Sequence, residues 1–246
     1  IALLVIAADE GVMAQTREHL AILDLLQIKS GVIAITKKDL VDQEWLELVI
    51  ADVTEAVKGT VLADSPIVAV SGVTREGLSE LVSTIQETLK KTPPKKDIGR
   101  PRLPIDRVFT VAGFGTVATG TLIDGTLALG QEVEVVPGGL RARVRGLQTH
   151  RSKIEVAQPG SRVAANLSGV APDDLRRGQV VTTPGWLRSS LALDARLRTI
   201  KDLPHPLRHN SAVTFHTGTS ESTARVRLLD AESRLAGEEG WVQIRL

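Results

Sequence analysis

Residues 31–39 read Gly31-Val32-Ile33-Ala34-Ile35-Thr36-Lys37-Lys38-Asp39, a short apolar run that breaks abruptly into charge. A continuously apolar stretch of this length is the signature of a strand covered on both faces, where a half-buried strand would alternate. It is followed by Glu44–Lys58, a stretch of helical character. The same unit occurs on either side. Ala2–Ala7 precedes Ala14–Leu26, in which Leu20, Leu23 and Leu26 fall at helical spacing. Ile67–Val70 precedes Gly77–Leu89, with Leu78, Leu81, Ile85 and Leu89 on one face. Strands alternating with helices predict parallel β-α units, with both faces of the sheet buried. In such sheets ligands bind at the carboxyl ends of the strands, which directs attention to the loops after Thr36 and Val70.

The texture changes at Lys90-Lys91-Thr92-Pro93-Pro94-Lys95-Lys96-Asp97, a stiff, charged segment that predicts a linker. From Arg102 the helical period disappears, and β-rich runs are punctuated by Gly113, Gly115, Gly120, Gly125, Pro137-Gly138-Gly139 and Pro159-Gly160, as in a small antiparallel barrel. A second β-rich set begins near Leu191 and ends with Val242, Ile244 and Leu246 alternating with Gln243 and Arg245. The expected organisation is therefore a multidomain α/β plus β chain: an α/β segment over 1–97, a barrel over 98–190 and a partial barrel over 191–246. Beginning in mid-strand at Ile1, the chain is expected to be an internal piece of a longer protein.

Composition narrows the chemistry. The 246 residues are 42% hydrophobic, enough for a sizeable core, with 30 Lys and Arg against 29 acidic residues, so any nucleic-acid contact must come from a local patch. There is no cysteine, which excludes disulfides, thiolate metal sites and cysteine nucleophiles. The apolar start lacks a basic leader and meets Asp9 and Glu10 at once, so that stretch reads as neither signal peptide nor membrane span; the absence of cysteine fits a reducing cytosol, and a cytoplasmic protein is expected.

Thr36-Lys37-Lys38-Asp39 resembles the Asn-Lys-x-Asp base-recognition loop of GTPases, and Ser71-Gly72-Val73, after the next strand, resembles their Ser-Ala-x loop. A carboxylate at Asp39 can accept from both the ring N–H and the exocyclic amine of guanine, a pair that adenine does not present. A site built on such a pair rejects the analogue lacking it by about ten-thousand-fold. The resemblance implies that the Lys37 stem packs over the purine and that backbone N–H groups of Ser71, Gly72 and Val73 meet the guanine carbonyl. Read alone, Asp39 could equally be the N-cap of the following helix. Thr36 stands where the family has Asn, and Gly72 where it has Ala.

Ala8–Leu20 also resembles a segment of elongation factor Tu and its relatives. There Gly11 permits a turn, Gln15 or Thr16 supports the helix start, and His19 reads as a structural helix residue. No Gly-x-x-x-x-Gly-Lys-[Ser/Thr], Asp-x-x-Gly or Pro-Gly-His segment occurs. The segment thus reads as the C-terminal half of a P-loop GTPase domain. GTP is the implied ligand, magnesium would be held by residues outside this chain, and the chain alone is expected not to hydrolyse GTP.

Pro104–Leu122, with its Gly113-Phe114-Gly115-Thr116-Val117 turn, resembles the opening hairpin of the second domain of translational GTPases. Asp106-Arg107 resembles the selenocysteine-specific elongation factors at a point where elongation factor Tu is acidic, and Gly160–Leu167 resembles the segment that supplies them a further arginine, here Arg162. What this implies is an aminoacyl pocket of Asp106, Arg107 and Arg162. A selenol is largely ionised near neutral pH, so two guanidinium groups oriented by a carboxylate would favour its anion over neutral serine. A surface ion pair of no functional weight is the plainer reading.

Arg141, Arg143 and Arg145 fall at period two, a row that could meet tRNA or ribosomal phosphates or simply be solvated, with His150, Arg151 and Lys153 close behind. His216-Thr217-Gly218-Thr219 resembles a third-domain turn of the family. The expected partners are selenocysteyl-tRNA and the ribosome, with a recoding mRNA element reached only through a domain outside this chain. A related elongation or initiation factor for another aminoacyl-tRNA, and a non-catalytic RNA- or protein-binding barrel, remain the alternatives.

Overall fold

In a computed structural model of the chain, strands β1 (Ala2–Ala7), β2 (Gly31–Thr36) and β3 (Ile67–Ala69) run parallel in the order β1-β2-β3. The structure describes residues 1–28, 30–93, 97–111, 113, 115–200 and 203–246. They fall into two compact units, Ile1–Lys95 and Lys96–Leu246.

In the first unit, helices α1 (Ala14–Leu25) and α2 (Gln43–Val57) cover one sheet face, where Leu4, Ile6, Ile33 and Ile35 pack with Leu20, Leu46, Val49 and Val53. Helix α3 (Leu78–Lys91) packs Leu78, Leu81 and Ile85 against Val32, Val68 and Val70 on the other. β2 is thus buried on both sides, as its sequence predicts. β1 is not: Leu3 and Val5 are 49% and 56% exposed, because α3 covers β2 and β3 instead. Two apolar stripes are also shorter than their spacing suggests, since Leu26 and Leu89 are exposed. α3 continues through Lys90 and Lys91, read above as linker; cations in a last turn face the helix's unsatisfied carbonyls favourably. Residues 94–96 of that linker lie outside the described residues.

The second unit opens with nine strands: β4 (Arg102–Val111), β5 (Gly115–Thr121), β6 (Leu127–Ala128), β7 (Glu132–Val136), β8 (Leu140–Thr149), β9 (Ser152–Ile154), β10 (Val156–Ala157), β11 (Arg162–Ser168) and β12 (Val180–Thr182). Their main sheet runs β11-β5-β4-β12-β7-β8-β9, and β11 also pairs with β8, so it closes into the expected barrel. Leu103, Ile105, Leu122, Leu127, Val133, Val135 and Val144 fill its interior. Gly113 and Gly115 take φ of +79° and +89° in the β4–β5 turn, a conformation that favours glycine. Ala112 and Phe114 of that turn lie outside the described residues.

Beyond the barrel, β13 (Ala192–Arg198), β15 (Ser211–Thr217), β16 (Ser220–Leu228) and β18 (Glu239–Arg245) form a four-stranded sheet in the order β13-β18-β16-β15. β14 (Leu207–Arg208) pairs separately with β17 (Ser233–Arg234). Val226, Leu228, Val242 and Ile244 bury one face of the larger sheet, matching the alternation read at the chain's end, although Leu246 is exposed. Where a partial second barrel was expected, the described residues form this open sheet and ribbon.

Candidate functional site

Three loops meet at the carboxyl edge of the parallel sheet, stitched together by backbone bonds. Ala8 N–H donates to Thr36 O at 2.8 Å, and Lys38 N–H donates to Val70 O at 3.2 Å. The Thr36 hydroxyl reaches back to Ile6 O at 3.3 Å, and the Trp45 indole of α2 donates to Ala8 O at 2.9 Å. Lys38 Nζ closes the edge with an ion pair to Glu76 Oε1 at 2.5 Å. Thr36, Lys37, Asp39, Ser71, Gly72 and Val73, read from sequence as one site, therefore lie on loops that the fold ties to one another.

The individual groups differ in what they have left to offer. Lys37 sits at φ +58°, and its amine pairs with Asp9 at 2.9 Å and Glu10 at 3.3 Å. Those bonds hold its pKa above the ordinary lysine range. Sequence reasoning missed this pairing, although an acidic pair just past a strand end was the available signal. Asp39 is exposed, and its carboxylate has no partner among the described residues. It does not cap α2: Asp42 does, accepting from Trp45 N–H at 2.8 Å. The capping role is thus excluded, and Asp39 stands as a solvated residue of a short 3-10 turn, Lys38–Leu40.

Ser71 is fully buried, and its hydroxyl accepts from the N–H groups of Val73 and Thr74 at 3.2 and 3.0 Å. The Ser71 N–H is engaged too, with Glu76 O at 3.0 Å. Of the three N–H groups expected to face a ligand, only that of Gly72 lacks an acceptor among the described residues. A Cβ at Gly72 would meet nothing within 4 Å, so the approach to it is open. An open acceptor at Asp39 and an open donor at Gly72 suit a planar base that presents two N–H donors and a carbonyl, as guanine does. No group of three or more His, Asp or Glu side chains among the described residues is placed to hold a metal ion.

On the barrel, a β-bulge between Ile105 and Arg107 leaves Asp106 out of the cross-strand register of β4 and β5, which re-aims its side chain. Arg162 on β11 reaches across β5 and grips the Asp106 carboxylate with Nη1 at 2.5 Å and Nη2 at 3.1 Å. Thr119 Oγ1, on the strand between, donates to Asp106 Oδ1 at 2.7 Å. Partial burial pushes the Asp106 pKa up, but the bonds from Arg162 and Thr119 outweigh it and hold the carboxyl below its usual range. The same contact raises Arg162. The Arg107 side chain is exposed and makes no hydrogen bond or ion pair among the described residues, although its charge is felt at Asp106. Asp106 and Arg162, read from sequence as parts of one pocket with Arg107, are in direct contact, and the sequence reading assigns Thr119 no role there.

The barrel also carries a groove of roughly 760 Å³ walled by Phe109, Val117, Leu147 and Ala164, with Arg145 and Lys153 contributing cations and Glu155 a carboxylate. Arg141, Arg143 and Arg145 do share one exposed face of β8. The row is less uniformly cationic than its sequence suggests, because Glu132 pairs with Arg143 at 2.9 Å and Glu134 stands opposite Arg141 on β7.

Comparison with known proteins covers both regions of the chain. Residues 1–91 match the elongation factor Tu GTP binding domain, and residues 115–182 match elongation factor Tu domain 2. The chain is 46% identical to the selenocysteine-specific elongation factor of Desulfomicrobium baculatum over 99% of its own length and 38% of that protein's. Among solved structures, a bacterial selenocysteine-specific elongation factor superposes with a TM-score of 0.87 at 28% identity, covering 99% of this chain and 40% of that one. The apo form of elongation factor SelB from Methanococcus maripaludis does so at 0.86 and 26%, covering 99% and 57%. The chain spans 36% to 39% of the length of the curated relatives it matches.

Proposed function

Because the chain belongs to the elongation factor Tu superfamily of translational GTPases, we propose that it is the base-reading and aminoacyl-binding part of a factor that delivers selenocysteyl-tRNA to the ribosome in a GTP-dependent way. Three domains carry this reading: 1–97 for the guanine base, 98–190 for the aminoacyl group, and 191–246 as part of a third. Asp39 accepts the two edge protons of guanine, the Gly72 N–H meets its carbonyl, and the Lys37 stem covers its face while Asp9 and Glu10 hold the amine. Bound GTP supplies the timing of tRNA release, and its phosphates and magnesium are held by parts of the factor outside this chain.

The observation that carries the selenocysteine reading is the two-pronged contact between Arg162 and Asp106. It fixes a guanidinium whose remaining N–H donors are free to turn to an anion, next to the exposed charge of Arg107. A selenolate fits that field, whereas a neutral hydroxyl gains little from it. The likeness to named selenocysteine-specific factors over nearly the whole chain supports the same choice. Arg145 and Lys153, at the barrel groove, are placed to meet phosphates of the tRNA. The work is assigned to the cytoplasm, where ribosomes act; among the described residues no helix is long and apolar enough to cross a membrane.

The test is Arg162→Ala in the full-length factor. It should narrow the preference for selenocysteyl-tRNA over seryl-tRNA by about tenfold, the scale of a charge-assisted hydrogen bond, and leave GTP affinity unchanged. A loss of GTP affinity with the preference intact would place Arg162 elsewhere.

A further inference from the structure

The Ile105 backbone, which leads into the bulged Asp106, is held both by barrel residues next to β12 and by a turn from beyond the barrel. Ile105 N–H donates to Gln179 O at 2.8 Å, and Ile105 O accepts from Gly178 N–H at 3.0 Å. The second lone pair of that carbonyl is taken by Thr219 Oγ1 at 2.7 Å, from the turn between β15 and β16, 114 positions along the chain. The turn is seated there by more than one bond. Arg177 Nε donates to Thr219 O at 3.2 Å. A Cβ at Gly178 would meet Ser220 Cα at 3.0 Å, and one at Gly218 would meet Pro104 at 3.4 Å, so the two surfaces are in close contact.

Asp106 has no Cα partner in the β4–β5 ladder, so its direction is set by the plane of the Ile105–Asp106 peptide together with the Thr119 bond to its carboxylate. Arg162, in turn, has only Asp106 as a side-chain partner among the described residues. Thr219, Ile105 O, Asp106 and Arg162 therefore form one continuous chain of fixed contacts. We propose that Thr219 is a positioning residue for the Asp106–Arg162 pair, so that the sheet beyond the barrel sets the selectivity of the aminoacyl pocket. This rests on the reading of that pair given above. The Thr219 hydroxyl is spent on Ile105 O; it acts by orienting Asp106, and small misplacements of such groups cost disproportionately.

The experiment compares Thr219→Val, which keeps the shape and removes the hydroxyl, with Thr219→Ser, which keeps the hydroxyl. Thr219→Ala serves in place of the first if the branched apolar side chain is not accommodated. In the full-length, GTP-bound factor, the ratio of selenocysteyl-tRNA to seryl-tRNA affinity should fall about fivefold without the hydroxyl, the scale of one hydrogen bond, and return in Thr219→Ser. GTP affinity should not move. An unchanged ratio, or an equal loss of affinity for both tRNAs, overturns the proposal, because a merely structural contact would weaken both alike. If the wild-type factor does not distinguish the two tRNAs, the selenocysteine reading is what fails. The carboxyl titration of Asp106 by NMR then decides the positioning role: displaced without the hydroxyl and restored in Thr219→Ser supports it, and identical in all variants overturns it.

Discussion

Arg162 and Asp106 meet through two roughly parallel bonds, 2.5 and 3.1 Å long, across the strand that separates them and 56 positions apart in sequence. The pair is only partly shielded, with the two side chains 55% and 23% exposed, so its contribution to stability is small. Its geometry is specific all the same. A bulge frees the carboxylate, a threonine on the intervening strand holds one of its oxygens, and the guanidinium keeps donors to spare.

The acid behaviour of the barrel should report on this pair. The folded pKa of Asp106 lies below the ordinary aspartate value of about 3.9. Its stabilising contribution is therefore complete above that value and lost as pH falls through the depressed folded one. In thermal melts the gap between wild type and Asp106→Asn should stay constant from neutrality to about pH 4 and close below it. A gap that begins to close well above that point would mean the carboxylate is not held as described.

Asp39→Ala should separate base recognition from folding. The carboxylate has no structural partner among the described residues, so the thermal midpoint should not move. In the full-length factor the preference for GTP over ATP, expected on the order of ten-thousand-fold, should largely vanish. Competitive nucleotide binding measures it; a retained preference would exclude Asp39 as the reader of the base.

Gly77 tests the support beneath the Ser71 loop. It opens α3 at φ +75°, and a Cβ there would lie 2.2 Å from Ala69 O. Gly77→Ala should cost about 1–3 kcal/mol in urea denaturation of the first unit, from left-handed strain together with the steric clash. It should also weaken GTP binding in the full-length factor by displacing Gly72.

The arginine row on β8 should not act as a set of equals. Arg145, at the groove, should contribute to tRNA binding so that Arg145→Ala lowers the slope of log affinity against log salt by about one. Arg143 is already paired with Glu132, and Arg143→Ala should change that slope less. Equal slopes for the two variants would assign no phosphate to Arg145.

Legibility from sequence follows the range of the forces involved. β2 and α2 were readable because periodicity is local, and a run such as Val32–Ile35 has few other solutions. The exposed side of β1 was not readable, since an apolar run looks the same whether one face is covered or two. The N-cap was misassigned: Asp39 was read as a possible cap, but Asp42, three positions on and of the same residue type, accepts from Trp45 N–H. The Asp106–Arg162 contact was reached through family resemblance, and Thr219 was recognised as part of a turn but not as a partner of Ile105, because no local pattern encodes a bond across 114 positions.

The most direct measurement is the affinity of the full-length factor, with GTP bound, for selenocysteyl-tRNA and for the same tRNA carrying serine. Tighter binding of the selenocysteyl form, by tenfold or more and diminishing as the selenol is protonated at lower pH, is the predicted result. Equal affinity for the two would contradict a pocket built to hold an anion between Arg107 and Arg162.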